Sequence, residues 1–130
     1  MSCVLRVSGV ELVSEDLAEI DLEPDSTWKI GQNRGRGMVC EDSGAGYLVS
    51  DADFDQFDQQ KIDAVRFLFE NRDKIEQIMS LPGLEYAVLD FGIKQRDVAA
   101  QYERFEPELV KSAGELGLGI ELSQYAITEE

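Results

Sequence analysis

Between residues 56 and 80 the apolar side chains Ile62, Val65, Leu68, Phe69, Ile75, Ile78 and Met79 recur every three or four positions. That period puts a stripe on one side of an α-helix. It predicts one long amphipathic helix, or two broken near Asn71, with Asp53 or Asp55 as N-cap and Pro82-Gly83 as the stop. A second helical stripe, Leu109, Val110, Ala113 and Leu116, starts behind Pro107 and ends at Gly117, the residue types favoured just inside and just past a helix. A short helix is expected over 14–20. Ser14 offers a cap, acidic residues fill the first turn, and Leu17 and Ile20 form an i,i+3 pair.

Elsewhere the pattern alternates. Residues 3–8 put Leu5 and Val7 on one face and Val4, Arg6 and Ser8 on the other, the period of a strand. Residues 85–93 are apolar on both faces, Tyr86 and Val88 against Ala87, Leu89 and Phe91, which predicts a central strand. Residues 27–30, 38–40 and 47–49 read as strands, and Leu118, Ile120 and Leu122 mark a last one. The glycine-rich segments 31–37 and 43–46 read as turns. In 98–105, Val98, Tyr102 and Phe105 fit a helix face, while the alternation favours a strand paired with the preceding one. The predicted fold is a single α+β domain over residues 1–130. Its sheet is largely antiparallel with about four to six strands, and one long and one shorter helix cover one face.

Composition adds charge to this frame. The 130 residues carry 27 carboxylates, 12 cations and no histidine, a net charge of −15. Seven carboxylates lie between Arg6 and Lys29 without a cation. Six more, Glu41, Asp42, Asp51, Asp53, Asp55 and Asp58, lie between Arg36 and Lys61. Such a surface repels nucleic acid and anionic lipid and attracts basic proteins over about a Debye length. A chain of this length buries roughly two-thirds of its unfolded surface without staples. No apolar run approaches the roughly 20 residues of a membrane span. The start, Met1-Ser2-Cys3-Val4-Leu5-Arg6, has no signal-peptide pattern, so a cytoplasmic location is expected. Cys3 and Cys40 are expected as free thiols, Cys3 as a buried small hydrophobe and Cys40 as the more exposed of the two.

The absence of histidine excludes Ser-His-Asp, Cys-His and histidine-ligated zinc chemistry within this chain. Asp51-Ala52-Asp53-Phe54-Asp55 opens like a calcium loop. Gln56 and Ile62 then occupy the sixth and twelfth places, where glycine and a bidentate glutamate are needed. The segment reads instead as an acidic approach to the long helix. Gly31-Gln32-Asn33-Arg34-Gly35-Arg36-Gly37 sets two arginines among glycines. Backbone amides and guanidinium groups can cradle a phosphate. This run nevertheless lacks the lysine-serine end of a Walker loop and the following helix of a dinucleotide site, so a flexible hairpin loop is the plainer reading. Trp28, Tyr47, Tyr86 and Phe91 read as core rather than as a pocket lining. No catalytic residue, metal or cofactor is expected, and no enzymatic activity.

The C-terminal third, Phe105-Glu106-Pro107-Glu108-Leu109-Val110 followed by Ala113-Gly114-Glu115-Leu116-Gly117-Leu118-Gly119-Ile120-Glu121-Leu122-Ser123-Gln124-Tyr125, resembles the closing helix-strand unit of small bacterial α+β proteins of unknown function. The opening strand ending in Ser8-Gly9 is similar. Some of those proteins look like immunity proteins of polymorphic toxin systems, which neutralise a toxin by binding it. With the acidic surface, the resemblance implies a protein-binding domain that captures a basic partner, such as a cognate toxin. The contact surface is expected in the acidic stretches 11–25 or 41–58, with Asp51, Asp53, Asp55, Asp58, Glu41 and Asp42 as the named contact residues and no nucleic-acid or membrane partner. Two alternatives stand beside it. One is a housekeeping interaction domain, dimeric through a sheet edge. The other is a small-molecule binder using the 31–37 loop, which a pocket gathering Arg34, Arg36 or Trp28 would favour.

Overall fold

The computed structural model describes residues 2–126. Along the chain run β1 (Cys3–Gly9), α1 (Ser14–Ala18), β2 (Ser26–Trp28), β3 (Asn33–Gly35), β4 (Met38–Val39), β5 (Ser43–Ser50), α2 (Phe57–Glu70), α3 (Arg72–Met79), β6 (Tyr86–Lys94), α4 (Pro107–Glu115) and β7 (Gly119–Tyr125). Five strands form one sheet in the order β2-β5-β1-β6-β7, and β3 and β4 pair separately as a hairpin. Every pairing in the larger sheet is antiparallel except β6 with β7. The architecture is α+β.

The two-residue period decides which face is dry. Leu5 and Val7 of β1 pair with Tyr47 and Ala45 of β5, and with Leu89 and Ala87 of β6. All of these side chains point to one face. There they meet Ala64 and Leu68 of α2, Ile75 and Ile78 of α3, and Leu109 and Ala113 of α4 in one apolar core. Full burial of a side chain such as Leu5, Phe91 or Leu109 contributes about 1.5–3 kcal/mol before packing effects are added. Phe57, Phe91 and Phe105 close one end of this core as an aromatic cluster with centroids 5.3–5.8 Å apart. The other face of the sheet, carrying Arg6, Ser8, Gly44, Gly46, Val88 and Asp90, has no helix over it.

Several elements differ from their sequence-based expectation. Residues 43–46 are not a turn but the buried start of β5. Gly44 and Gly46 serve close approach: a side chain at Gly44 would strike the Trp28 ring and the Val7 carbonyl, and one at Gly46 would strike Ser26 Oγ. Residues 98–105 form no strand. The reason is that both edges of β6 are filled, by β1 on one side and β7 on the other. β7 runs parallel to β6 because α4 carries the chain back across the core between them. The long helix breaks at Asn71, whose φ of −113° is non-helical. Its N-cap is Gln56 rather than Asp53 or Asp55. Gln56 Oε1 accepts the Asp53 N–H at 3.0 Å, and its own N–H returns to the Asp53 carbonyl at 2.9 Å. Ser14 is the first residue of α1 and Val13 its cap. Cys40 is buried, as Cys3 is, and both are free thiols. Burial, and then the Asp90 and Asp63 carboxylates, push the Cys3 thiol far above its ordinary range, so it stays protonated and inert.

Candidate functional site

Two recesses of the described residues lie on opposite sides of the sheet. On the helical side a groove of about 550 Å³ runs between α2 and α4. Asp58, Ile62, Val65 and Phe69 follow one another at i, i+4, i+7 and i+11, so they form a single stripe along α2. Ile62 and Val65 line the groove with Leu109 as floor, and Glu106, the N-cap of α4, and Glu108 in its first turn stand opposite Asp58. Beyond it Phe69 is 84% exposed and Val110 48%. Side chains of this size normally face inward, so a run of them on adjoining helices marks an unpartnered surface.

The one cation of the groove is already spent. Lys61 lies on the inward side of α2 and is 7% exposed. Its Nζ donates to the Arg104 carbonyl at 2.7 Å and to Glu106 Oε1 at 3.0 Å, with Asp58 Oδ1 at 3.4 Å and the Phe57 ring 4.6 Å away. The hydrogen bond from Lys61 holds the Glu106 carboxyl below its ordinary range. Glu106 thus keeps its charge at neutral pH, and Lys61 adds no repulsion toward a basic visitor.

On the open side the hairpin β3–β4 arches over the sheet and encloses a cleft of about 630 Å³. Arg36 and Gly37 turn the hairpin with φ of 55° and 73°, the paired left-handed conformation of a type I′ turn. Hydrogen bonds hold its base: Gly31 N–H to the Cys40 carbonyl and Cys40 N–H to the Gln32 carbonyl, both 2.8 Å, and Ile30 N–H to Ser43 Oγ at 2.9 Å. Trp28 lies over Gly44 and donates its indole N–H to Asp42 Oδ1 at 2.9 Å. Arg6 reaches in from β1 while paired to Asp90, a 6% exposed carboxylate that also accepts the Ser123 hydroxyl at 2.7 Å.

The six carboxylates expected as contacts divide between these places. Glu41 and Asp42 line the hairpin cleft. Asp58 lines the groove, and Asp55 stands with it in a further recess near Phe54 and Lys94. Asp51 and Asp53 are exposed on the approach to α2. The eight extended residues of β5 separate the two sets, a span of about 26 Å. Asp42 is tied to Trp28, so it acts as an internal acceptor. Sequence reasoning missed the carboxylates of α4 because Glu106 and Glu108 look like ordinary helix-start residues. It also passed over Lys61, whose signal was a cation at the same helical phase as Ala64 and Leu68. Arg34 and Trp28, but not Arg36, line the cleft.

No protein-family model, curated protein or solved structure matches this chain. Among the described residues no three carboxylates or thiols gather in a way that could hold a metal ion, and no helix is long and apolar enough to cross a membrane.

Proposed function

We propose that this domain binds a basic protein through the acid-rimmed groove between α2 and α4, in the manner of an immunity protein that masks its toxin, and that it does so in the cytoplasm without catalysis, metal or cofactor. The observation that supports this reading is the outward apolar stripe of Ile62 and Phe69 on α2, which enters a groove rimmed by Asp58, Glu106 and Glu108, with Val110 also exposed on α4. Apolar anchors supply the desolvated centre of an interface, and rim carboxylates steer a cationic partner and reject anionic ones. The net charge of −15 extends that steering over the molecule and disfavours nucleic acid.

The test is affinity capture from the organism that encodes the protein, followed by association and dissociation kinetics at several salt concentrations. The captured partner should be basic, and its association rate should fall steeply with salt while dissociation changes less. Neutralising Asp53, Asp55, Asp58 and Glu108 together should slow association without unfolding the domain, since exposed carboxylates contribute little to stability. Phe69→Ser should speed dissociation instead, as loss of an anchor does. Recovery of self-dimers alone, or a partner indifferent to salt and to both variants, would refute the reading.

A further inference from the structure

The hairpin cleft differs in chemistry from the rest of this acidic molecule. Residues 29–40 hold three cations, Lys29, Arg34 and Arg36, and no carboxylate. The hairpin they form is a two-stranded sheet that leaves Ile30, Met38 and Val39 about half exposed. An isolated hairpin of this kind is marginal in water, and the rest of the described residues leave its apolar side chains half uncovered.

The hydrogen bonds inside the hairpin decide what it has left to offer. Gln32 Oε1 accepts the Lys29 N–H at 3.0 Å, and Asn33 Oδ1 accepts the Gly35 N–H at 2.7 Å. A backbone N–H can only donate, so these contacts fix both amide orientations and leave each NH₂ group as a donor with no protein partner among the described residues. Arg34 has no carboxylate within ion-pair distance among the described residues. Its guanidinium is a donor only. The Trp28 N–H is consumed by Asp42 and one side of the ring lies on Gly44, which leaves the other ring face to interact. The two amide oxygens of the hairpin are therefore used internally, and its unspent side-chain groups are donors beside an indole ring.

We infer that the cleft is a second binding site, for a small molecule with a flat ring and an acceptor-rich anion, a carboxylate or a phosphate. The ring lies against Trp28 and the apolar edge of β4, and the anion meets Arg34 with the amide groups of Gln32 and Asn33. The cleft is of the size that encloses a metabolite-sized ligand. Arg6 is paired with Asp90 through Nη2, so its charge is largely compensated while its other N–H groups remain donors. Two carboxylates of the lining oppose the anion, Glu41 at the exposed rim and Asp42, whose Oδ1 is engaged by the Trp28 indole. The site stands on the face of the sheet opposite the groove and does not depend on partner capture.

Trp28 is the only tryptophan, so its fluorescence reports on this cleft alone. The probes are AMP and benzoate, with adenosine and benzamide as uncharged counterparts. At least one anion should give a saturable change with a dissociation constant of about 1 mM or tighter, and its uncharged counterpart should bind at least about tenfold more weakly. Preference for AMP assigns the anion as phosphate, and preference for benzoate assigns it as carboxylate. Arg34→Gln should weaken binding about tenfold or more, and Glu41→Gln should tighten it. Both positions are exposed, and unchanged circular dichroism verifies that the fold is intact. The inference is overturned if neither anion gives a saturable change, if the uncharged compounds bind equally well, or if Arg34→Gln leaves the dissociation constant unaltered.

Discussion

The two faces of the sheet solve the same problem by different means. The helical face is sealed by matching apolar surfaces, and its only buried cation, Lys61, is enclosed by acceptors and an aromatic ring. The open face has no helix and is held by directional contacts: Arg6 to Asp90, Ser123 to Asp90, and Trp28 to Asp42. The first arrangement leaves apolar residues over on the outside of the helices, at Ile62 and Phe69. The second leaves donors over beneath a hairpin. Each face thus offers what its own stabilisation did not consume, and two recesses on opposite faces of one small domain acquire different chemistry.

The contrast can be broken most forcibly at Leu109, which is fully buried. Leu109→Ala should cost about 2–5 kcal/mol in denaturant unfolding. An unchanged midpoint would mean that α4 does not seal the core. On the open face Arg6→Met should cost less, about 3 kcal/mol at most. That is the low end for breaking a buried pair, since Asp90 loses its cation but water already reaches the 41% exposed Arg6 side chain. Gly44→Ala should cost about 1–3 kcal/mol by overpacking. It should also shift Trp28 emission, because the added methyl displaces the indole. A stability loss without a spectral shift would place the strain elsewhere.

Much of this fold was legible in the chain. The stripes of 56–80 and 107–117 and the alternation of 3–8 and 85–93 reappear as helices and strands because each segment carries its own period. What was not legible depended on partners distant in sequence. Residues 43–46 looked like a turn because glycine is the commonest turn residue. Their glycines instead make room for Trp28, which the local sequence cannot reveal. Residues 98–105 carry strand-like alternation, but no edge of β6 is left for them to join. The acidic runs were plain, yet the sequence could not show that β5 divides them or that Glu106 and Glu108 would face Asp58 across a groove.

A smaller effect sharpens the same contrast through pH. Glu106 is held below its ordinary carboxyl range chiefly by the Lys61 hydrogen bond. A depressed native value stabilises the fold at pH above the unfolded value, and this contribution is lost as pH falls through the folded one. Wild type should therefore exceed Glu106→Gln in stability near neutrality, with the difference shrinking as pH drops below 4.5, the unperturbed value. A difference that stays constant or grows in acid would show that the Lys61–Glu106 pair does not form in solution.

The most direct test of partner capture at the helical groove is hydroxyl-radical footprinting of the protein alone and in complex with its captured partner. Phe69 is 84% exposed and Met38 57%, so both faces carry a reactive reporter in the free protein. The groove account predicts that oxidation of Phe69 is suppressed in the complex while Met38 and Trp28 react as before. Protection of Met38 and Trp28 with Phe69 still fully reactive would contradict it.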